Sequence, residues 1–101
     1  MAEWVSVGSA EGQDGEVREA QAGDVYLALA RAGGEWFALD DECPHQACPL
    51  SDGWLDGSKL VCSCHGSAFD VRTGAVLAAP ATEPVNVYPV RVVNGQLEVE
   101  V

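Results

Sequence analysis

Residues 43–48 read CPHQAC and residues 62–67 read CSCHGS, and these two segments contain all four cysteines and both histidines of the 101-residue chain. The first segment places a cysteine and a histidine at C-x-H spacing (Cys43, His45), and the second at C-x-x-H spacing (Cys62, His65). Each segment therefore offers one thiolate and one imidazole. If the segments form neighbouring loops, the two sulfurs converge at one point and the two nitrogens at an adjacent point.

This ligand set suits a dinuclear iron centre in which two cysteines hold one iron and two histidines hold the other. Two neutral imidazoles in place of two thiolates remove negative charge, so the cluster accepts an electron more readily and its reduction potential rises. We therefore predict one [2Fe–2S] cluster per chain, with Cys43, His45, Cys62 and His65 as its ligands.

Other readings of the same residues remain open at this point. A zinc module also uses two cysteines and two histidines, but zinc modules usually pair cysteine with cysteine and histidine with histidine, whereas this chain alternates them. A plant-type ferredoxin needs C-x₄-C-x₂-C, and only Cys43 and Cys48 fit the first gap. A nucleophilic Cys–His pair would leave the second ligand pair without a purpose.

Outside the two segments, the sequence predicts short β-strands and no helix. Apolar alternation and β-forming residues predict strands at residues 4–7, 16–19, 24–31, 35–39, 85–92 and 97–101. Gly33-Gly34 and Asn94-Gly95 predict hairpin turns, and Pro89 marks an edge or a bulge. The fold class is therefore all-β, a small antiparallel sandwich or barrel, with residues 40–74 predicted to be rich in loops.

Length and charge limit the partners. A chain of 101 residues is one domain, residues 1–101. Five Lys and Arg against 16 Asp and Glu give a net charge of −11, which disfavours nucleic acid and anionic membranes and favours a basic patch on another protein. No apolar run is long enough to cross a membrane, and the first residues do not resemble a signal peptide, so we expect a cytoplasmic protein.

The two segments resemble the cluster-binding boxes of Rieske iron–sulfur proteins. The resemblance extends over Cys43-Pro44-His45, residues 50–53 (LSDG), residues 62–67, Phe69-Asp70, Thr73-Gly74 and Ala79-Pro80-Ala81. It implies a small antiparallel β fold with the cluster at the tip of a subdomain, here about residues 40–74. It also implies that Cys43 and Cys62 bind the buried iron, that His45 and His65 bind the outer iron, and that Pro80 belongs to a loop covering the cluster.

The resemblance also assigns roles to residues around the cluster. Cys48 and Cys64 stand where Rieske proteins of cytochrome bc-type complexes form a disulfide, a pair that ferredoxins of ring-hydroxylating dioxygenases usually lack. Two reduced thiols are the alternative. Ser67 matches a serine that donates a hydrogen bond to a bridging sulfide, whereas Phe69 replaces a tyrosine that donates to a cysteine sulfur. We therefore expect a midpoint potential above that of typical dioxygenase ferredoxins and below that of the respiratory proteins.

The function predicted is that of a soluble Rieske [2Fe–2S] ferredoxin that carries single electrons and catalyses no reaction itself. The expected donor is a flavoprotein reductase and the expected acceptor a terminal oxygenase, docking at the His45/His65 tip with Leu50 and Pro80 in contact. We expect a monomer or weak oligomer. The alternatives are a Rieske subunit of a respiratory or arsenite-oxidase-like complex, and a small subunit of a nitrite-reductase-like oxidoreductase.

Overall fold

The computed structural model describes residues 3–43, 48–64, 66–79 and 81–101, which contain eleven strands and a single-turn 3-10 helix. The strands are β1 (Trp4–Ser9), β2 (Val17–Ala22), β3 (Val25–Ala32), β4 (Glu35–Asp40), β5 (Trp54–Asp56), β6 (Lys59–Val61), β7 (Ala68–Asp70), β8 (Val76–Ala78), β9 (Val87–Tyr88), β10 (Val90–Val93) and β11 (Gln96–Glu100). The 3-10 helix spans Leu50–Asp52. Within the described ranges, no helix is long and apolar enough to span a bilayer.

The strands form three antiparallel sheets. The first has the order β1-β11-β10, the second β2-β3-β4-β9, and the third β5-β6-β7-β8. Pro89 separates β9 from β10, at the point where the chain passes from the edge of the second sheet to the edge of the first. Because proline has no N–H to donate to a ladder, an edge position of this kind accommodates it. The predicted all-β fold class is confirmed.

Strand β3 is buried on both faces and separates two apolar cores. Its leucines, Leu27 and Leu29, pack in one core with residues of the first sheet such as Leu97 and Val99. The alanines of the opposite face pack in the other core with residues of the third sheet such as Leu60 and Phe69; they are Ala28, Ala30 and Ala32. Side chains of a strand alternate between faces, so a strand buried on both faces reads as a continuous apolar run. This arrangement places the third sheet directly against the second.

Both predicted hairpin turns are present. Gly33 and Gly34 join β3 to β4, and both have positive φ angles. Asn94 (φ 51°) and Gly95 (φ 77°) join β10 to β11, as a type I′ turn requires. Residues 40–74, predicted to be rich in loops, also contain three short strands, β5, β6 and β7, that the sequence did not indicate. Strands of three residues are too short to show an alternating pattern.

Tyr88 links β9 to β4 and gives a prediction about alkaline stability. Its hydroxyl donates to Asp40 Oδ1 at 2.5 Å. Burial, followed by the hydrogen bond to Asp40, raises the pKa of Tyr88 from 10.0 to about 12. The native state therefore holds this proton more tightly than the unfolded state does. The protonated Tyr88 hydroxyl contributes fully to the free energy of unfolding below about pH 10, and this contribution is lost as the pH rises towards 12. We expect Tyr88→Phe to show a smaller fall in unfolding free energy between pH 10 and pH 12 than the wild type, measured by urea denaturation. An equal fall in both proteins would contradict this assignment.

Candidate metal centre

The first predicted loop leaves β4 and is closed by backbone hydrogen bonds. The N–H of Cys43 donates to the carbonyl of Cys48 (3.0 Å), and Glu42 and Pro49 form an isolated antiparallel bridge. The carboxylate of Asp41, a buried side chain, accepts the N–H of Ser51 at 2.8 Å. These bonds bring Cys43 and Cys48 together at the base of the loop.

The second loop connects β6 to β7 and is closed in the same way. The N–H of Cys62 donates to the carbonyl of Ser67 (2.7 Å), and the N–H of Gly66 donates to the carbonyl of Cys62 (3.0 Å). Gly66 has φ +77°, a conformation that most residues with a Cβ avoid. The turn therefore returns the chain so that Ser67 lies beside Cys62.

A disulfide joins the two loops. It links Cys48 to Cys64, with a Cα–Cα distance of 6.6 Å. Cys48 is buried, whereas Cys64 is exposed. Chain-entropy arguments give a cross-link over a loop of this length a contribution of about 3 kcal/mol to stability. The disulfide therefore holds both loops in one arrangement.

The two remaining cysteines are free thiols at the base of the loops. Cys43 and Cys62 are each 2% exposed and belong to the same apolar core. The sulfurs of Cys48, Cys62 and Cys64 lie within 4.8 Å of one another. Because Cys48 and Cys64 are bonded to each other, only the Cys62 sulfur of this group is free to bind a metal. Buried thiols suit soft ligation of an iron–sulfur cluster.

Ser67 places a hydroxyl in the buried interior at the base of the second loop. Its side chain is fully buried, and its Oγ accepts the N–H of Ala81 at 3.0 Å. A hydroxyl also carries one proton to donate, and the structure shows no hydrogen bond from it to another described residue. This proton is available to a group that supplies an acceptor, as the sulfur of a cluster does. The residues present therefore fit a [2Fe–2S] cluster.

The structure describes only some of the remaining predicted site residues. His45, His65 and Pro80 lie outside the described residues. The expectation that Leu50 contacts a partner is wrong, because Leu50 is 0% exposed and packs in the core beneath the loops. Sequence analysis also missed Trp54, which is 53% exposed and pairs with Val61, the residue directly before Cys62. The turn signal at Asp56-Gly57 could have located the hairpin that carries it.

Gly53 is a second residue that the sequence analysis did not explain. A Cβ added there would lie 1.8 Å from the carbonyl oxygen of Val61, which directly precedes Cys62. Ser51 and Gly53 follow the first loop closely, so this contact packs the chain after the first loop against the base of the second loop.

We therefore expect Gly53→Ala to push these segments apart and to cost about 2 kcal/mol or more of stability, with partial loss of bound cluster. Thermal unfolding and iron content measure the two effects. Gly57→Ala is the control for cluster loss: its positive φ (+64°) strains any residue with a Cβ, but no neighbouring atom lies within 4 Å of that Cβ, so we expect lower stability with full iron content. If Gly57→Ala loses as much bound cluster as Gly53→Ala, the packing explanation fails.

Comparison with known proteins agrees with this site. The Rieske [2Fe-2S] domain family model matches residues 3–89. The anthranilate 1,2-dioxygenase ferredoxin subunit of Burkholderia cepacia is 42% identical, with the alignment covering 100% of this chain and 94% of that protein.

Solved structures of ferredoxin systems are also similar to this chain. A Sphingomonas yanoikuyae B1 ferredoxin has a TM-score of 0.90 at 32% identity, covering 97% of this chain and 98% of that chain. A chain in a complex of reduced oxygenase and oxidized ferredoxin in carbazole 1,9a-dioxygenase has a TM-score of 0.88 at 38% identity, covering 95% and 91% of the two chains.

The chain belongs to the Rieske [2Fe–2S] domain family. The Burkholderia cepacia and Sphingomonas yanoikuyae relatives are ferredoxins, which are electron carriers rather than catalysts. The expected class of protein and its [2Fe–2S] cofactor are both confirmed. The family favours the iron cluster over the zinc module that the spacing alone left open.

Proposed function

We propose that this protein carries single electrons to the terminal oxygenase of a multicomponent dioxygenase system, receiving them from a flavoprotein reductase. The observation that carries this proposal is the pair of buried free thiols, Cys43 and Cys62, beneath two loops joined by a disulfide. When bound, the cluster supplies a one-electron couple. The similarity to ferredoxins of dioxygenase systems supports an oxygenase as the acceptor.

The proposed ligands are Cys43 and Cys62 on the inner iron and His45 and His65 on the outer iron, within a cluster-binding subdomain of about residues 40–74. The role of the chain is to hold these ligands in place and to exclude water. Burial of both thiols and of Phe69 keeps the inner side of the site dry. We propose that Ser67 donates its hydroxyl proton to the cluster and that Pro80 covers the cluster.

We propose that partners dock at the tip that carries His45 and His65, and that the docking surface includes Trp54 of the third sheet. Trp54 has a large exposed apolar side chain and pairs with Val61, the residue directly before Cys62. Apolar and aromatic anchors next to a redox centre provide the contact that a short-lived electron-transfer complex needs. Trp54 therefore takes the contact role that we expected of Leu50.

Charge on the adjacent surface supports a cationic partner. A groove of about 600 Å³ beside Cys48 is lined by acidic side chains and Tyr26; the acidic residues are Asp24, Asp40, Asp41 and Glu42. With a net charge of −11, the protein attracts basic surfaces over a distance of several ångströms, and salt screens this attraction. We expect association with the partner to weaken as ionic strength rises.

The experiment uses the holoprotein reduced with dithionite and mixed by stopped flow with the oxidised oxygenase component of the anthranilate 1,2-dioxygenase system. The expected result is rapid reoxidation, seen in the visible absorption, with a rate that falls as salt is added. Ferricyanide serves as a small oxidant that needs no docking surface. Fast reoxidation by ferricyanide with none by this oxygenase or by that of carbazole 1,9a-dioxygenase would overturn the proposed role.

Trp54→Ser tests the docking surface in the same assay. Loss of an interface anchor typically costs more than 1 kcal/mol, so we expect the second-order rate with the oxygenase to fall about tenfold. The rate with ferricyanide should not change. Val92→Ser is the matched control, because Val92 is 59% exposed but lies on β10 of the first sheet. Equal effects of both substitutions would show that Trp54 is not part of the docking surface.

A further inference from the structure

The free thiol of Cys62 lies beside the disulfide that joins the two loops. Its sulfur is within 4.8 Å of the sulfurs of both Cys48 and Cys64. Thiol–disulfide exchange needs a free cysteine, which reacts as its thiolate, close to a disulfide. We propose that, in the protein without its cluster, Cys62 exchanges with this disulfide and forms a Cys48–Cys62 disulfide.

Burial determines which sulfur is attacked. Attack on Cys48 forms the Cys48–Cys62 bond and breaks the Cys48–Cys64 bond, with the electron pair leaving on the Cys64 sulfur. Cys64 is exposed, so water stabilises this leaving thiolate, whereas attack on Cys64 would release a thiolate at Cys48, which is 6% exposed. One disulfide and one thiolate are present before and after, so no oxidant or reductant is needed.

The other free thiol provides an internal comparison. Cys43 is as buried as Cys62, but its sulfur does not belong to the group within 4.8 Å. Its contact with Cys48 is through the backbone, where the Cys43 N–H donates to the Cys48 carbonyl. Exchange is therefore selective for Cys62 while the fold is intact.

The consequence rests on the proposed role of Cys62 as a cluster ligand, although the exchange itself rests on geometry alone. A Cys48–Cys62 disulfide still joins the two loops, but it occupies one of the two sulfurs that the inner iron needs. Protein that has lost its cluster therefore becomes unable to take up another until a thiol reductant opens the new disulfide. Protein that has lost a cluster would therefore carry the Cys48–Cys62 disulfide, whereas newly made, reduced protein would not.

The test begins with full-length holoprotein whose cluster is removed anaerobically with iron chelators, followed by desalting to remove iron and sulfide. Samples taken over time are unfolded in denaturant that contains N-ethylmaleimide, digested and mapped by mass spectrometry. We expect two labelled cysteines per chain throughout, Cys43 and one other, with the second label moving from Cys62 to Cys64. Persistent labelling of Cys62 with an intact Cys48–Cys64 disulfide would overturn the proposal.

Two variants and one further measurement complete the test. Both variants are expected to lack the cluster as purified and need no chelator: Cys43→Ala should still exchange, whereas Cys62→Ala should keep the Cys48–Cys64 disulfide. Disulfides containing Cys43 in amounts equal to those containing Cys62 would indicate unselective scrambling and would also overturn the proposal.

Reconstitution with iron and sulfide should fall in proportion to the exchanged fraction and recover after pretreatment with dithiothreitol. If fully exchanged protein is reconstituted as well as unexchanged protein, the Cys48–Cys62 disulfide does not prevent cluster uptake and this part of the proposal is wrong. None of these readouts depends on an oxygenase, so they fail or succeed independently of the proposed function.

Discussion

Cys43→Ala and Cys62→Ala are each expected to abolish stable binding of the [2Fe–2S] cluster. Each side chain is a buried free thiol beneath the paired loops and a proposed ligand of the inner iron, so removal of one would leave that iron with a single sulfur from the chain. Changes around a metal site that spare its ligands already cost about 10- to 100-fold in affinity, so loss of a ligand costs more. Iron and acid-labile sulfide per chain, together with visible absorption, measure the effect.

The double variant Cys48→Ala/Cys64→Ala is the control for this experiment. It removes two cysteines from the same loops but leaves both proposed inner ligands in place. We expect it to retain iron and sulfide while losing about 3 kcal/mol of stability. Full iron content in Cys62→Ala, together with complete loss in the double variant, would reverse the assignment of ligands and disulfide.

Ser67→Ala is expected to lower the reduction midpoint by about 60 mV. The buried hydroxyl accepts the N–H of Ala81 and has its own proton to donate to the cluster. A hydrogen bond stabilises the reduced cluster more than the oxidised one, because reduction adds negative charge. A difference of about 1.4 kcal/mol corresponds to 59 mV for one electron. Potentiometric titration followed by visible absorption measures the shift.

Ser63→Ala is the matched control for that shift, because Ser63 belongs to the same loop but is exposed. Phe69→Tyr tests the opposite direction, since it adds a donor at a fully buried position in the core that contains Cys43 and Cys62. We expect Phe69→Tyr to raise the midpoint. Equal, small shifts in Ser67→Ala and Ser63→Ala would show that the Ser67 hydroxyl does not reach the cluster.

The sequence predicted well those features that depend on local patterns. Asn94-Gly95 and Gly33-Gly34 marked hairpins because those turns demand positive φ. The apolar run of β3 predicted a strand, but its two-sided burial depends on sheets formed by residues far away in the chain. The strands of the third sheet were missed because each has three residues and no visible period.

At the site, the spacing of cysteines and histidines predicted the kind of cofactor but not the surface around it. Leu50 and Trp54 are both large apolar residues near the first loop, and only the packing of the 3-10 helix distinguishes the buried one from the exposed one. Gly53 likewise has no local signal, because its constraint is the carbonyl of Val61 on another strand. Features that depend on contacts between separate segments could not be read from the sequence.

The most direct test of the central claim is a redox titration of the purified protein, followed by visible absorption and combined with metal analysis. We predict a coloured protein with two irons and two sulfides per chain, titrating as a one-electron couple with a midpoint between about −150 and +300 mV. A colourless protein that contains zinc and shows no couple in this range would contradict the account.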